Sequence, residues 1–108
     1  MQFLPLFFSL KGRPVLIVGG GEVALRKASL LLKADALVTV ISLNIKPELE
    51  TLISKSGGHT ETRTFEKNDA IGKTLIVAAT DDKQINQVVA KEAGELNIPV
   101  NVVDQPEL

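Results

Sequence analysis

The stretch VLIVGGGEVALRKASLLLKADALVTVIS, Val15 to Ser42, decides how this chain of 108 residues is read. The apolar run Pro14–Val18 ends in three consecutive glycines and passes directly into helical spacing. A strand buried on both faces needs such a run, and Pro14 can take its first position without disturbing the ladder. From Glu22 to about Ala34, Val23, Ala24, Ala28, Leu31 and Leu32 recur three and four residues apart, which predicts a helix. Ala36–Ile41 is apolar and β-branched, a second buried strand.

Gly19-Gly20-Gly21-Glu22-Val23-Ala24 fits G-x-G-x-x-A, a dinucleotide fingerprint. Gly19 allows the tight turn off the strand, and Gly21 lets a pyrophosphate approach the backbone. Ala24 is small enough for the helix to pack close to the strand. The amides that open the helix, at the positive end of its dipole, then hold the anion. A glycine-rich turn without a ligand is the simpler alternative. The strand before the motif and the helix after it are the context that favours a cofactor.

The remainder repeats the same alternation. Pro47 to about Ser56 reads as a helix with proline in its first turn, closed by Gly57-Gly58. His59–Phe65 is expected as an outer strand, with His59 exposed on it, and Leu75–Ala79 as another buried one. Asp81 is expected to cap the next helix, with Gln84 as its capping-box partner, and that helix runs to about Glu95. Ile98–Val103 supplies the last strand. Alternating strands and helices without a hairpin signal call for right-handed crossovers and a parallel sheet. The fold expected is α/β, a Rossmann-like doubly wound parallel sheet of about five strands in the order 3-2-1-4-5.

Composition narrows the function. A net charge of −1 argues against nucleic acid or an anionic membrane as partner. With no cysteine and one histidine, thiol chemistry, thiolate metal sites and most Ser–His arrangements drop out, and no metal site is expected. The N-terminal MQFLPLFFSLKGRP lacks a signal peptide's basic start and cleavage site, and its apolar run is too short to span a bilayer. A cytoplasmic location is expected.

One element of a typical NAD site is missing. The second strand ends in VTVISLN, offering Ser42 and Asn44 where an acidic residue would bind the adenosine ribose. Hydroxyl and amide groups discriminate poorly against a 2′-phosphate, so the residues leave NAD and NADP both open. Glu22 and Arg26, four apart, read most simply as an exposed helix pair.

The strings LPLFFSLKGRP and LIVGGGEVALRKASLLL, followed by LIVAATDDKQINQVVAKEA and IPVNVVDQPEL, resemble the N-terminal domain of siroheme synthase. That family includes stand-alone precorrin-2 dehydrogenases. The resemblance implies NAD-dependent dehydrogenation of precorrin-2 to sirohydrochlorin, and in many members insertion of Fe(II) to give siroheme. It implies a cofactor loop of Gly19, Gly20, Gly21, Glu22 and Val23, with Gly21–Val23 along the pyrophosphate. Leu43 and Asn44 would meet the adenosine end, and Thr80 the nicotinamide ribose. Asp104, the last residue of N-V-V-D, would be the acid–base residue. Its sequence neighbours Gln105 and Pro106 alone suggest a turn.

The family's members continue into a helical dimerisation region, so the chain is expected to be one dinucleotide-binding domain, residues 1–108, of a longer homodimeric enzyme. The competing class is a non-catalytic NAD-binding regulatory module, which would not need Asp104.

Overall fold

The computed structural model describes residues 9–103; Asp104 lies outside the described residues. Its elements in chain order are β1 (Pro14–Val18), α1 (Glu22–Lys33), β2 (Leu37–Ser42), α2 (Pro47–Lys55), β3 (His59–Thr62), a 3-10 turn (Lys67–Ala70), β4 (Leu75–Ala78), α3 (Lys83–Glu95) and β5 (Val100–Val102). The strands form one sheet in the order β3-β2-β1-β4-β5, and every pairing is parallel. The expected topology is the observed one.

Alternation along β1 divides the core. Val15 and Ile17 face α1 and α2, packing with Val38, Val40, Leu49 and Ile53. Leu16 and Val18 face α3 and the 3-10 turn, with Ile76, Val89 and Ala93. Every residue of Val15–Val18 is essentially inaccessible, which is why the run is apolar without alternation. The fully buried Ala24 and Ala28 set α1 close against the sheet. Truncating a core side chain such as Leu16 would cost about 2–5 kcal/mol.

All three helices end through a left-handed residue. Asp35 has φ 61°, Gly57 φ 85° and Asn97 φ 58°. Each brings a following amide back to the helix: Ala36 N to Leu31 O at 3.1 Å, Gly58 N to Ile53 O at 3.0 Å, and Ile98 N to Ala93 O at 2.9 Å. The last of these draws Ile98 out of the sheet, so β5 is shorter than the apolar run suggests. Another expectation is corrected. The cap of α3 is Asp82, not Asp81: Asp82 Oδ1 accepts from Gln84 N at 2.9 Å and Ile85 N at 3.3 Å. Gln84 is then only two residues past the cap and cannot complete a capping box.

The sheet order reverses between β1 and β4. Because α1 leaves β1 on one face and α3 follows β4 on the other, the loops at their carboxyl ends part there and leave a crevice.

Candidate functional site

The glycine loop occupies that crevice. Gly19 has φ 136°, and a Cβ there would run into the Ala79 carbonyl, with Thr80 N 3.1 Å away. Gly19 N donates to Ile41 O at 3.0 Å and Ala79 N to Val18 O at 2.8 Å, so the turn is bound to the strands on both sides. Gly20 carries the loop beneath the β2–α2 connection. A Cβ on it would strike the Asn44 carbonyl, with Ile45 Cα 2.8 Å away, and its own carbonyl accepts from Lys46 N at 2.8 Å.

Gly21 differs from both. Its φ of −96° and ψ of −155° suit any residue, and a Cβ on it would meet nothing within 4 Å. The protein's own packing therefore accounts for Gly19 and Gly20 but not for Gly21. Leu25 N, 3.0 Å from Gly21 O, makes the first backbone bond of α1. The amides of 22–24 precede it and have no carbonyl within the helix to bind. A bare backbone facing open space beside free amides fits a pyrophosphate.

Two cavities meet at this edge. The first, about 560 Å³, is walled by Gly19–Val23, Ser42, Asn44–Lys46 and Ala79–Asp81. The second, about 520 Å³, lies towards α3 and is lined by Leu43, Arg63, Phe65, Ile85 and Val88 among others. Ser42, Asn44, Thr80 and Asp81 border both. Of the residues expected at the site, Gly19, Gly20, Gly21, Glu22, Val23, Asn44 and Thr80 thus converge on the first cavity and Leu43 on the second.

Thr80 is positioned by Asn86, a residue that sequence reasoning missed. Asn86 is the buried polar residue of the described core. Its Oδ1 accepts from Thr80 N at 3.1 Å and from Thr80 Oγ1 at 2.7 Å, and its Nδ2 donates to Thr80 O at 3.0 Å. Thr80 Oγ1 also accepts from Asp82 N at 3.1 Å. Asn86 thereby fixes the β4–α3 loop and satisfies every polar atom of its own amide group. The available signal was its place in the apolar stripe Asn86, Val89, Ala93 of α3.

Charge near the site is sparse. Lys46 Nζ lies 3.8 Å from Glu22 Oε1 and 3.7 Å from Glu48 Oε1. Glu22 therefore pairs across the cavity mouth and not along the helix with Arg26, as its spacing suggested. Deeper in the β3 region, the Arg63 guanidinium grips both oxygens of Asp69 at 2.7 and 2.9 Å and also donates to Glu61. That bidentate bond holds the Asp69 carboxyl below its ordinary range, against the opposing effect of burial and with help from Glu66 N. Hydrogen bonds from His59 and then Arg63 lower Glu61 in the same way. With two carboxylates on it, Arg63 is a structural cation and offers no free charge to the second cavity. Among the described residues no group of His, Asp and Glu is arranged to hold a metal ion. No described helix is long and apolar enough to cross a membrane.

Residues 6–108 match a family model described as "Putative NAD(P)-binding". The whole chain aligns with the siroheme synthase of Stutzerimonas stutzeri at 48% identity and with that of Pseudomonas aeruginosa PAO1 at 51%. It spans 23% of the length of each of these relatives. Among solved structures it is similar to SirC, a precorrin-2 dehydrogenase, with a TM-score of 0.79 and 27% identity over 97% of this chain and 51% of that one. An alcohol dehydrogenase of Thermotoga maritima, at 23% identity and a TM-score of 0.64, shares the fold alone. The chain belongs to the family of NAD(P)-binding domains found in siroheme synthase and precorrin-2 dehydrogenase.

Proposed function

We propose that the chain is the cofactor-binding part of an enzyme that oxidises precorrin-2 to sirohydrochlorin with NAD. The observation that carries this reading is Gly21, an N-cap glycine that no packing contact requires and whose open side lies beside the free amides of α1, in a chain about half identical to siroheme synthases. The diphosphate would lie on Gly21, Glu22 and Val23, against the free amides of α1. Leu43 and Asn44 would border the adenosine, whose base suits the more apolar second cavity. Thr80, held by Asn86, would flank the nicotinamide ribose.

The bound cofactor would supply a hydride acceptor; the reaction removes one hydride and one proton from the macrocycle. Asp104 would take that proton. Val103 N donates to Ala78 O at 2.9 Å, so the chain reaches the carboxyl edge of β4 at the residue before Asp104. Open α/β sheets bind ligands at this edge, which supports an acid–base role for the residue that follows Val103. The same group would accept pyrrole protons if the parent enzyme also inserts Fe(II) as a substrate. We further place residues 1–108 as one domain of a longer, homodimeric, cytoplasmic parent, whose other parts would complete the tetrapyrrole pocket.

Asp104→Ala in the full-length enzyme tests the assignment. The variant is expected to bind NADH as before and to lose precorrin-2 oxidation. Unchanged turnover would return Asp104 to a turn residue and favour a regulatory role for the domain.

A further inference from the structure

The two edges of the sheet are built differently. β3 ends it on one side and β5 on the other. β3 carries a connected set of charges: His59 Nε2 lies 2.8 Å from Glu61 Oε2, and Arg63 Nε donates to Glu61 Oε1. Such charges keep an edge strand from pairing with other chains. β5 has no guard of this kind. Ile98–Val103 holds no charged residue, and Val102 is 44% exposed. Ile76 N donates to Pro99 O at 3.1 Å and Val103 N to Ala78 O at 2.9 Å, so residues 99, 101 and 103 turn their backbone polar groups towards β4. Those of Val100 and Val102 alternate with them and point outward, where no described strand takes them.

An edge can pair with its own copy when a two-fold axis at one residue sets that residue against itself without conflict. Asn101 meets this condition. Val100 would exchange N–H···O bonds with the second copy's Val102, and Val102 with the second copy's Val100, joining their side chains on the face of Ile76 and Ala78. Asn101 would meet the second copy's Asn101 on the other face, where each amide offers a donor and an acceptor to its mate. On β3 the backbone of Arg63 turns inward, its N donating to Ser42 O at 3.1 Å, so the equivalent register would oppose Glu61 to its own copy and repel. The charge pattern therefore admits self-pairing at β5 and not at β3. Room for the helices is available too. Val88 of α3 faces the second cavity, while Ala90 and Gly94 lie roughly on the opposite flank, and a Cβ on Gly94 would meet nothing within 4 Å.

We propose that β5 is an interface between two copies of this chain, paired antiparallel about Asn101 into one continuous sheet whose two glycine-loop crevices open at opposite ends. Sedimentation velocity of the chain from about 10 μM to about 1 mM, the range suited to a small interface, tests it. A reversible monomer–dimer equilibrium is expected. Asn101→Asp sets two carboxylates face to face and Val102→Lys puts a charge on the edge; each should weaken association at least about tenfold, from lost or repelling cross-strand pairs counted in both copies. Neither should move the urea midpoint measured where the wild type is monomeric. Because the chain has no cysteine, oxidation can read the register directly. Asn101→Cys should close a disulfide between copies, since Cα atoms in such a pair lie about 4.5 Å apart. Val102→Cys opposes Val100 and should not. A chain monomeric throughout that range, association indifferent to Asn101→Asp and Val102→Lys, or equal cross-linking of the two cysteine variants would overturn the inference. Each of these results would leave the cofactor reading standing, which NADH titration tests separately.

Discussion

Replacing Gly20 and Gly21 by alanine, one at a time, separates what the loop does for the fold from what it does for a ligand. At Gly20 the added methyl points into backbone: the Asn44 carbonyl, Ile45 Cα at 2.8 Å and Asn44 C at 2.9 Å. No rotamer change relieves such a clash, so the β2–α2 connection must move away. Overpacking of this kind costs about 1–3 kcal/mol. The same displacement stretches the Lys46 N to Gly20 O bond, now 2.8 Å, which adds about 1 kcal/mol. A loss of about 2–4 kcal/mol is a large share of the roughly 5–15 kcal/mol that holds a domain folded. At Gly21 the backbone suits alanine and the methyl meets no protein atom. Only the weaker helix cap remains as a cost, at most about 1 kcal/mol.

Affinity should rank the other way. The Gly21 methyl would occupy the space assigned to the diphosphate, for an overpacking cost of about 1–3 kcal/mol, or roughly fivefold to 150-fold in Kd. Urea unfolding followed by far-UV circular dichroism suits a chain without Trp or Tyr, and NADH titration supplies the second measurement. Gly20→Ala should unfold at markedly lower urea. Gly21→Ala should unfold close to wild type and bind NADH weakly. A Gly20→Ala protein as stable as wild type would refute the packing account, and a Gly21→Ala protein with undiminished NADH affinity would refute the ligand account.

Two further perturbations follow from the polar networks. Asn86→Ala removes three hydrogen bonds to the half-buried Thr80 and should cost about 2–4 kcal/mol; weakened NADH binding should accompany it, and a variant with wild-type urea midpoint and affinity would show that the clamp is idle. The Arg63–Asp69 pair predicts an acid limb: because the folded-state Asp69 carboxyl is held below its ordinary value near 4, the stabilisation is complete above that value and is lost as pH falls through the depressed one. Asp69→Asn should remove about 1–2 kcal/mol at pH 7 and flatten the decline of the urea midpoint below about pH 4, whereas parallel curves for variant and wild type would count against the pair.

The sheet was legible because its signals are local. Val15–Val18 is apolar without interruption, and a residue run of that kind has few places in a parallel sheet other than the centre. The fingerprint is legible for the same reason: a strand, a turn and a helix start are adjacent in the chain. The misreadings arise where a contact joins distant or equivalent residues. Asp81 and Asp82 are chemically the same, and only the Thr80–Asn86 clamp, which fixes where the loop turns, selects Asp82 as the cap. Glu22 has Arg26 at helical spacing, but Lys46 is brought to it by the crossover from β2 to α2. Spacing along one helix carries no information about that approach.

The three glycines also show why a motif match and a site are different claims. A strand-to-helix turn pressed between β4 and the β2–α2 connection would select Gly19 and Gly20 even in a protein that binds nothing, because Ala79 and Asn44 backbone atoms leave no room for a Cβ. Two glycines are therefore evidence about the crevice. The third is not required by packing: Gly21 has a permissive backbone and free space on its Cβ side, the room that the proposed diphosphate would need. That space opens onto the first cavity, next to the unpaired amides of α1 and across from Lys46. A bare backbone, unpaired donors and a cation meet there, as a diphosphate requires, and Gly21→Ala closes the first of these while the sheet beneath is left intact.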